Sequence, residues 1–206
     1  MLLKLLFLLV VVGVKGRNEY HAAVLQNSVS RAERIFESNA ADIDERDDRS
    51  GQTPLMMSVL MGYTDLVKFF LEKGADAFAT EVSGNNPLMC ACVLNRVDNV
   101  KFWLKEFPDW NLEARNTVVG ATALGLAVYA GPFRLDLTKL LLKRGADTKI
   151  FSHSGSSILL ASCDNEDACP DVVRFILSHA NGSYFLNYKR TATTLKWKTI
   201  NAVARV

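Results

Sequence analysis

Residues 48–80 read DRSGQTPLMMSVLMGYTDLVKFFLEKGADAFAT. Asp48-Arg49-Ser50-Gly51 is a turn, and Thr53-Pro54-Leu55 starts a helix. Proline at the first helical position gives up no hydrogen bond, because that N–H has no intrahelical partner. The Thr53 hydroxyl can take up a free N–H of the first turn. An apolar segment, Leu55 to Met61, runs to a turn at Gly62, and a second, Leu66 to Leu71, ends at Gly74-Ala75-Asp76. Glycine supplies the left-handed residue that stops such a helix. The stretch is therefore a helix–turn–helix unit between two turns.

The signature recurs. Gly51, Gly84, Gly120 and Gly155 follow one another at spacings of 33, 36 and 35 residues, and Leu55, Leu88, Leu124 and Leu159 keep those intervals. The apolar ends Phe69-Phe70-Leu71, Phe102-Trp103-Leu104, Leu140-Leu141-Leu142 and Phe175-Ile176-Leu177 align as well. A period of about 33 with this pattern resembles the ankyrin repeat, whose unit reads G-x-T-P-L-H-x-A-A, then G, then L-L-x-x-G-A-D. Residues 48–80 depart from it at Met56 (for His) and at Ser58-Val59 (for Ala-Ala). The resemblance implies an all-α solenoid of about five helix–turn–helix repeats with short β-hairpin finger loops. Their expected bounds are a degenerate first repeat at 18–47, repeats at 48–80, 81–116, 117–151 and 152–186, and an incomplete capping repeat at 187–206.

In the degenerate repeat, Tyr20-His21-Ala22-Ala23 stands where the family has L-H-x-A. His21 is thus expected to tie neighbouring loops together through backbone hydrogen bonds. An atypical terminal repeat is expected, since one of its faces meets water. Phe107-Pro108-Asp109 replaces G-A-D in the third repeat, so that helix is expected to end through Pro108. Small residues at Ser58, Ala91, Ala127 and Ser162 allow inner helices to stack closely.

The chain has 206 residues, 49% apolar and 22% charged, with net charge +2, which points to no partner by bulk electrostatics. Residues 42–48 (DIDERDD) are acidic, whereas 187–206 carry Lys189, Arg190, Lys196, Lys198 and Arg205 with no acid. Residues 1–16 (MLLKLLFLLVVVGVKG) have the basic start and apolar run of a signal peptide. The run is too short to cross a bilayer, and the competing reading is a buried N-terminal helix. A cleaved leader would place the protein in the secretory pathway or the lumen of the endoplasmic reticulum, and its absence in cytoplasm or nucleus. Two features belong with the first alternative: a disulfide between Cys163 and Cys169, and the glycosylation sequon Asn181-Gly182-Ser183.

No phosphate-cradling loop, nucleophile elbow or C-x-x-C metal clip occurs, and the three histidines are scattered at 21, 153 and 179. We expect no catalysis, no metal and no cofactor. Nucleic-acid binding would need interleaved aromatics or a strongly basic domain, and neither is present. A monomer that binds another protein is expected, with membrane contact confined to residues 1–16.

The ankyrin resemblance places partner contacts on the concave face, at the fingers and late in the inner helices. The finger positions are Arg49, Ser50 and Gln52; Val82, Ser83 and Asn85; Val118 and Val119; and His153 and Ser154. The inner-helix positions are Leu25, Leu60 with Met61, Val93 with Leu94, and Tyr129. Leu25, Leu60, Val93 and Tyr129 would form an apolar stripe, the kind of patch that marks an interaction surface. The alternative is that these side chains are local core. An adaptor that recruits a target to an enzyme through residues 193–206, and a scaffold anchored by residues 1–16, are the rival functions. Lys68, Lys101, Lys139 and Arg174 fall in one column on the back and read as a solvated face.

Overall fold

The structure is a computed structural model of the chain, and it describes residues 18–129, 134–148, 152–153, 157–163 and 170–179. Residues 1–16, Ser154, Cys169, Asn181 and 187–206 lie outside the described residues, and so does the side chain of Cys163. The chain divides into two compact units, residues 1–103 and 104–206.

In the first unit the helices are α1 (Glu19–Leu25), α2 (Val29–Ser38), α3 (Pro54–Met61), α4 (Thr64–Glu72) and α5 (Pro87–Val93). Helix α6 (Val97–Glu106) begins there and runs across the boundary. Helices α1 and α2 form one antiparallel pair and α3 and α4 the next. Helix α1 packs on α3, α2 on α4, and α3 on α5. The second unit repeats this arrangement. Its helices are α7 (Ala123–Tyr129), α8 (Leu135–Lys143), α9 (Ile158–Cys163) and α10 (Pro170–His179), with α7 on α9 and α8 on α10. The fold is an all-α repeat solenoid in class, and the described residues contain no strand.

Local chemistry explains why helices start where they do. Asn18, Thr53, Asn86 and Thr122 each accept, through a side-chain oxygen, the N–H three residues on: His21 at 3.0 Å, Met56 at 3.3 Å, Met89 at 3.0 Å and Gly125 at 3.2 Å. Pro54 and Pro87 follow two of these caps at the first helical position. Gly74 and Gly145, at φ +86° and +90°, turn the chain after α4 and α8. Asn39 takes the same left-handed conformation after α2, because a short amide side chain tolerates it. Helix α6 stops at Glu106, immediately before Phe107-Pro108.

The core lies between the pairs. In α3 every residue from Pro54 to Leu60 is buried, since α1, α4 and α5 all pack against it. The small residues allow that approach: Ala23, Ser58, Ala91 and Ala127 are wholly covered. Ser58 Oγ donates to Pro54 O at 2.8 Å, so its hydroxyl is satisfied inside the helix. Aromatic edges join the first two pairs, with Tyr20 of α1 on Phe70 of α4 at 5.6 Å and Phe36 of α2 on Phe69 of α4 at 6.4 Å between ring centroids; the outer helices are α2, α4, α6, α8 and α10. On their solvent faces Asp65–Lys68, Asp98–Lys101 and Asp171–Arg174 are ion-paired one turn apart, while Lys139 lies over the Phe175 ring. The basic column is therefore a solvated face, neutralised by its own aspartates where those pairs form. Exposed pairs of this kind contribute little stability.

Candidate functional site

The fingers are turns, each fixed by a buried polar residue at its base. Asp47 N donates to Gln52 O at 2.9 Å, Glu81 N to Asn85 O at 3.1 Å and Asn116 N to Ala121 O at 3.0 Å. The side chains of those three residues point inward and accept from the finger's own donors. Asp47 Oδ1 takes Arg49 N, Ser50 N and Ser50 Oγ at 2.8–3.1 Å. Glu81 takes Ser83 N, Asn85 N and Asn85 Nδ2 at 2.7–3.1 Å. Asn116 Oδ1 takes Val119 N and Ala121 N at 3.3 and 3.0 Å. A short polar side chain that bonds to the backbone two to five residues on holds a turn in one conformation. Instead of a paired hairpin, each described finger is a side-chain-braced turn.

Arginines brace two of the same bases. Arg46 Nη1 donates to Gly51 O at 3.0 Å and also to Thr80 O, and Arg115 Nε donates to Gly120 O at 2.8 Å. Consecutive fingers are linked within each unit: Val82 N donates to Ser50 O at 3.0 Å, and His153 N to Val119 O at 2.8 Å. Gly120 sits at φ +68°, and a Cβ there would meet the His153 ring at 2.3 Å, so both backbone angle and space require glycine. Sequence reading missed Asp47, Glu81, Asn116, Arg46 and Arg115 as finger supports. The signal was the dipeptide Arg46-Asp47, matched by Arg115-Asn116, just ahead of each turn.

This bracing holds apolar side chains out into water. Val82, Val118 and Val119 are 68%, 64% and 46% exposed, and Tyr129, at the end of α7, is 59% exposed. Arg49 and His153 are exposed, and Ser50, Gln52, Ser83 and Asn85 half-buried. Among the inner-helix positions Leu25, Met61, Val93 and Leu94 are half-buried. Leu60 is different: it is only 7% exposed and packs in a cluster with Met56, Ala79 and Cys90, against which Leu94 also rests. At this position the apolar side chain is core and not part of an exposed stripe, because the loop after α4 folds Ala79 over it. Residues 77–82 alternate buried and exposed, with Ala77, Ala79 and Glu81 inward, and this alternation sets the cover in place.

Side chains tie the ends of inner helices to the neighbouring repeat. His21 Nε2 lies 2.9 Å from Gln52 O and its Nδ1 2.8 Å from Asn18 Oδ1, so the imidazole ties α1 to the next finger. Met56 and Met89 are buried and offer no such bond. Arg96 and Asn99 serve instead at α3: Arg96 Nε donates to Leu60 O at 2.8 Å and Asn99 Nδ2 to Val59 O at 3.0 Å. Thr64 Oγ1 also donates to Asn99 Oδ1 at 2.6 Å. The terminal carbonyls of α3 thereby find partners a repeat away.

Two carboxylates reach across in the same sense. Asp44 accepts Asp76 N at 2.9 and 3.1 Å, and Glu113 Oε1 accepts Asp147 N at 2.8 Å. Burial pushes both carboxyls above their ordinary values, against the pull of those N–H bonds. Burial, with the Glu81 carboxylate adding to it, likewise holds the Cys90 thiol well above the usual range, so Cys90 is an inert packing residue. Cys92 is equally buried, and neither cysteine is in a disulfide. Among the described residues no cluster of His, Cys, Asp and Glu could hold a metal ion. Also among them, no helix is long and apolar enough to cross a membrane.

A polar groove of about 400 Å³ lies on the first pair, where Gln26, Ser28, Arg31, Arg34 and Ser38 meet. Arg31 and Arg34 occupy the places that Leu66 and Phe69 hold, buried, in the next pair. Charge in place of Leu and Phe is what a face that meets water requires.

Helix pairs capped by Thr-Pro or Asn-Pro, stacked through small residues and carrying braced fingers, define a repeat protein of the ankyrin class. Residues 20–114 match the family model of ankyrin repeats (3 copies), and this stretch is built of ankyrin repeats. No curated protein matches it. Ankyrin repeats are in general protein–protein interaction modules and typically carry no catalytic activity.

Proposed function

We propose that the protein binds a protein partner through the concave face, with the finger tips as the primary contacts. The observation that carries this reading is the set of exposed valines, Val82 in the first unit and Val118 and Val119 in the second, held out on turns whose backbones are pinned from inside. Apolar side chains in water on preordered turns cost little further entropy when a partner covers them. Arg49, Ser50, Gln52, Ser83, Asn85, Tyr129 and His153 would supply the surrounding contacts, and Leu25, Met61, Val93 and Leu94 the half-buried floor. We place Leu60 beneath that surface as support. The protein acts as a monomer without nucleic acid or cofactor. The adaptor and membrane-scaffold readings depend on residues outside the described part, and no observation favours them.

The test is affinity purification of the full chain from expressing cells, comparing wild type with the triple variant Val82→Ser, Val118→Ser, Val119→Ser. A control variant carries Lys68→Ser and Lys101→Ser on the outer helices. The finger variant should melt like wild type and lose the proteins that wild type and control retain. Retention of the same proteins by the finger variant would overturn the reading.

A further inference from the structure

We propose that the finger at 116–121, with His153 beside it, docks an acidic segment of the partner that also carries bulky apolar side chains. This rests on the finger reading above and adds the chemistry that the second unit selects. The apolar half of the site is Val118 and Val119, both exposed on a turn that Asn116 holds from inside. The basic half converges on Gly120. Arg115 Nε donates to Gly120 O at 2.8 Å, and the His153 ring lies so close to the same glycine that a Cβ there would clash with it. His153 N donates to Val119 O. Two valines, a guanidinium and an imidazole are thus gathered around one turn.

Arg115 is exposed, and its bond to Gly120 uses only Nε. The Nη1–Nη2 end of the fork has no hydrogen-bond partner among the described residues. That end matches a carboxylate, which takes two parallel N–H bonds from it. A guanidinium already held at Nε also has less freedom to lose when the carboxylate arrives.

The charges of the second unit decide the sign of the partner. The finger, α7 and α9 contain no carboxylate. Among the described residues of this unit, Glu106, Asp136 and Asp171 lie on outer helices and Asp109 just beyond one. Glu113, two residues ahead of Arg115, turns its Oε1 to Asp147 N instead. Among the described residues no carboxylate is ion-paired with Arg115. The matching finger of the first unit is different. Arg46 spends Nη1 on Gly51 O and Thr80 O, and the tip carries Asp48 and Arg49 where the second unit has Thr117 and Val118. There the tip brings its own acid; here the acid comes from outside. An exposed cation beside exposed valines fits a segment that sets Asp or Glu next to Leu, Ile, Val or Phe. Apolar contact supplies the area, while the charge pair orients the segment and disfavours basic ones.

The test pans the immobilised full chain against a phage-displayed library of random peptides, then measures the most enriched peptide, made synthetically, by fluorescence anisotropy. Enriched sequences should combine Asp or Glu with bulky apolar residues. Arg115→Gln keeps an N–H donor near Gly120 and removes the charge. It should weaken the peptide about tenfold or more, the scale of one charge-assisted hydrogen bond. Val118→Ser with Val119→Ser should weaken it comparably, and Arg115→Lys should recover part of the loss. Lys143→Gln, at an exposed position on α8, should change nothing. Rising salt should weaken wild-type binding more than that of Arg115→Gln. Enriched sequences that lack acid, yet are lost with the two valines, would overturn the acidic partner and leave the finger reading standing. Binding indifferent to the valines and to Arg115 would overturn both, and no enrichment over bare matrix would overturn the proposal alone. Should Arg115→Gln not fold, judged by its urea midpoint, the acid content of the enriched peptides and the wild-type salt dependence decide.

Discussion

Thr138 occupies in α8 the place that Val67 holds in α4 and Val173 in α10. Its side chain is fully covered, and Oγ1 has no hydrogen-bond partner. A buried hydroxyl without a partner loses its water bonds and gains nothing in return. Thr138→Val keeps the shape and removes that loss, so it should stabilise the chain by about 1 kcal/mol, read as a higher urea midpoint. Glu113 supplies a second prediction at this scale. Its carboxyl is held above the ordinary value first by burial, and the Asp147 carboxylate pushes the same way. The native state thus binds this proton more tightly than the unfolded chain does. The stabilisation is complete below the unfolded pKa and is lost as the pH rises through the folded one. Glu113→Gln keeps an oxygen for Asp147 N and cannot titrate. Between about pH 4 and about pH 7 the variant's urea midpoint should fall less than that of wild type.

Helix α3 shows how little an element's own pattern reveals once neighbours cover it on several sides. Seven successive residues are buried, so no polar face marks which side meets which neighbour. Leu60 is the consequence. Its place in the ankyrin pattern suggests a surface residue, yet Ala79 and Cys90, 19 and 30 residues further along, close over it. Leu60→Ala should cost about 2–5 kcal/mol, as for other core truncations, and Leu60→Asp should unfold the first unit. Circular dichroism during a urea titration measures both. A Leu60→Asp chain with a wild-type midpoint would return the residue to the surface. The ends of helices were easier to read than their faces. Thr53-Pro54, Gly74 and Phe107-Pro108 act through backbone angles and missing N–H groups within a few residues, and the structure places a cap or a stop at each.

The recurring glycines and leucines of the sequence determined the class of the whole molecule, because a repeat that must bury its faces on copies of itself writes the same contact pattern into each copy. Sequence also determined where helices begin and end and the identity of His21 as a tie between loops. What only the tertiary structure decided is which of the aligned positions face water. Leu60 is covered while Tyr129, its aligned partner, is exposed. The supports of the fingers were decided there too, with Asp47, Glu81 and Asn116 turned inward although charged and amide residues ordinarily read as surface. So were two partners of His21, one from its own cap and one a backbone carbonyl 31 residues away. The physical reason is common to all three. Capping and turn formation are settled by backbone geometry within one turn of chain, whereas burial and hydrogen-bond acceptance depend on atoms that only folding brings near.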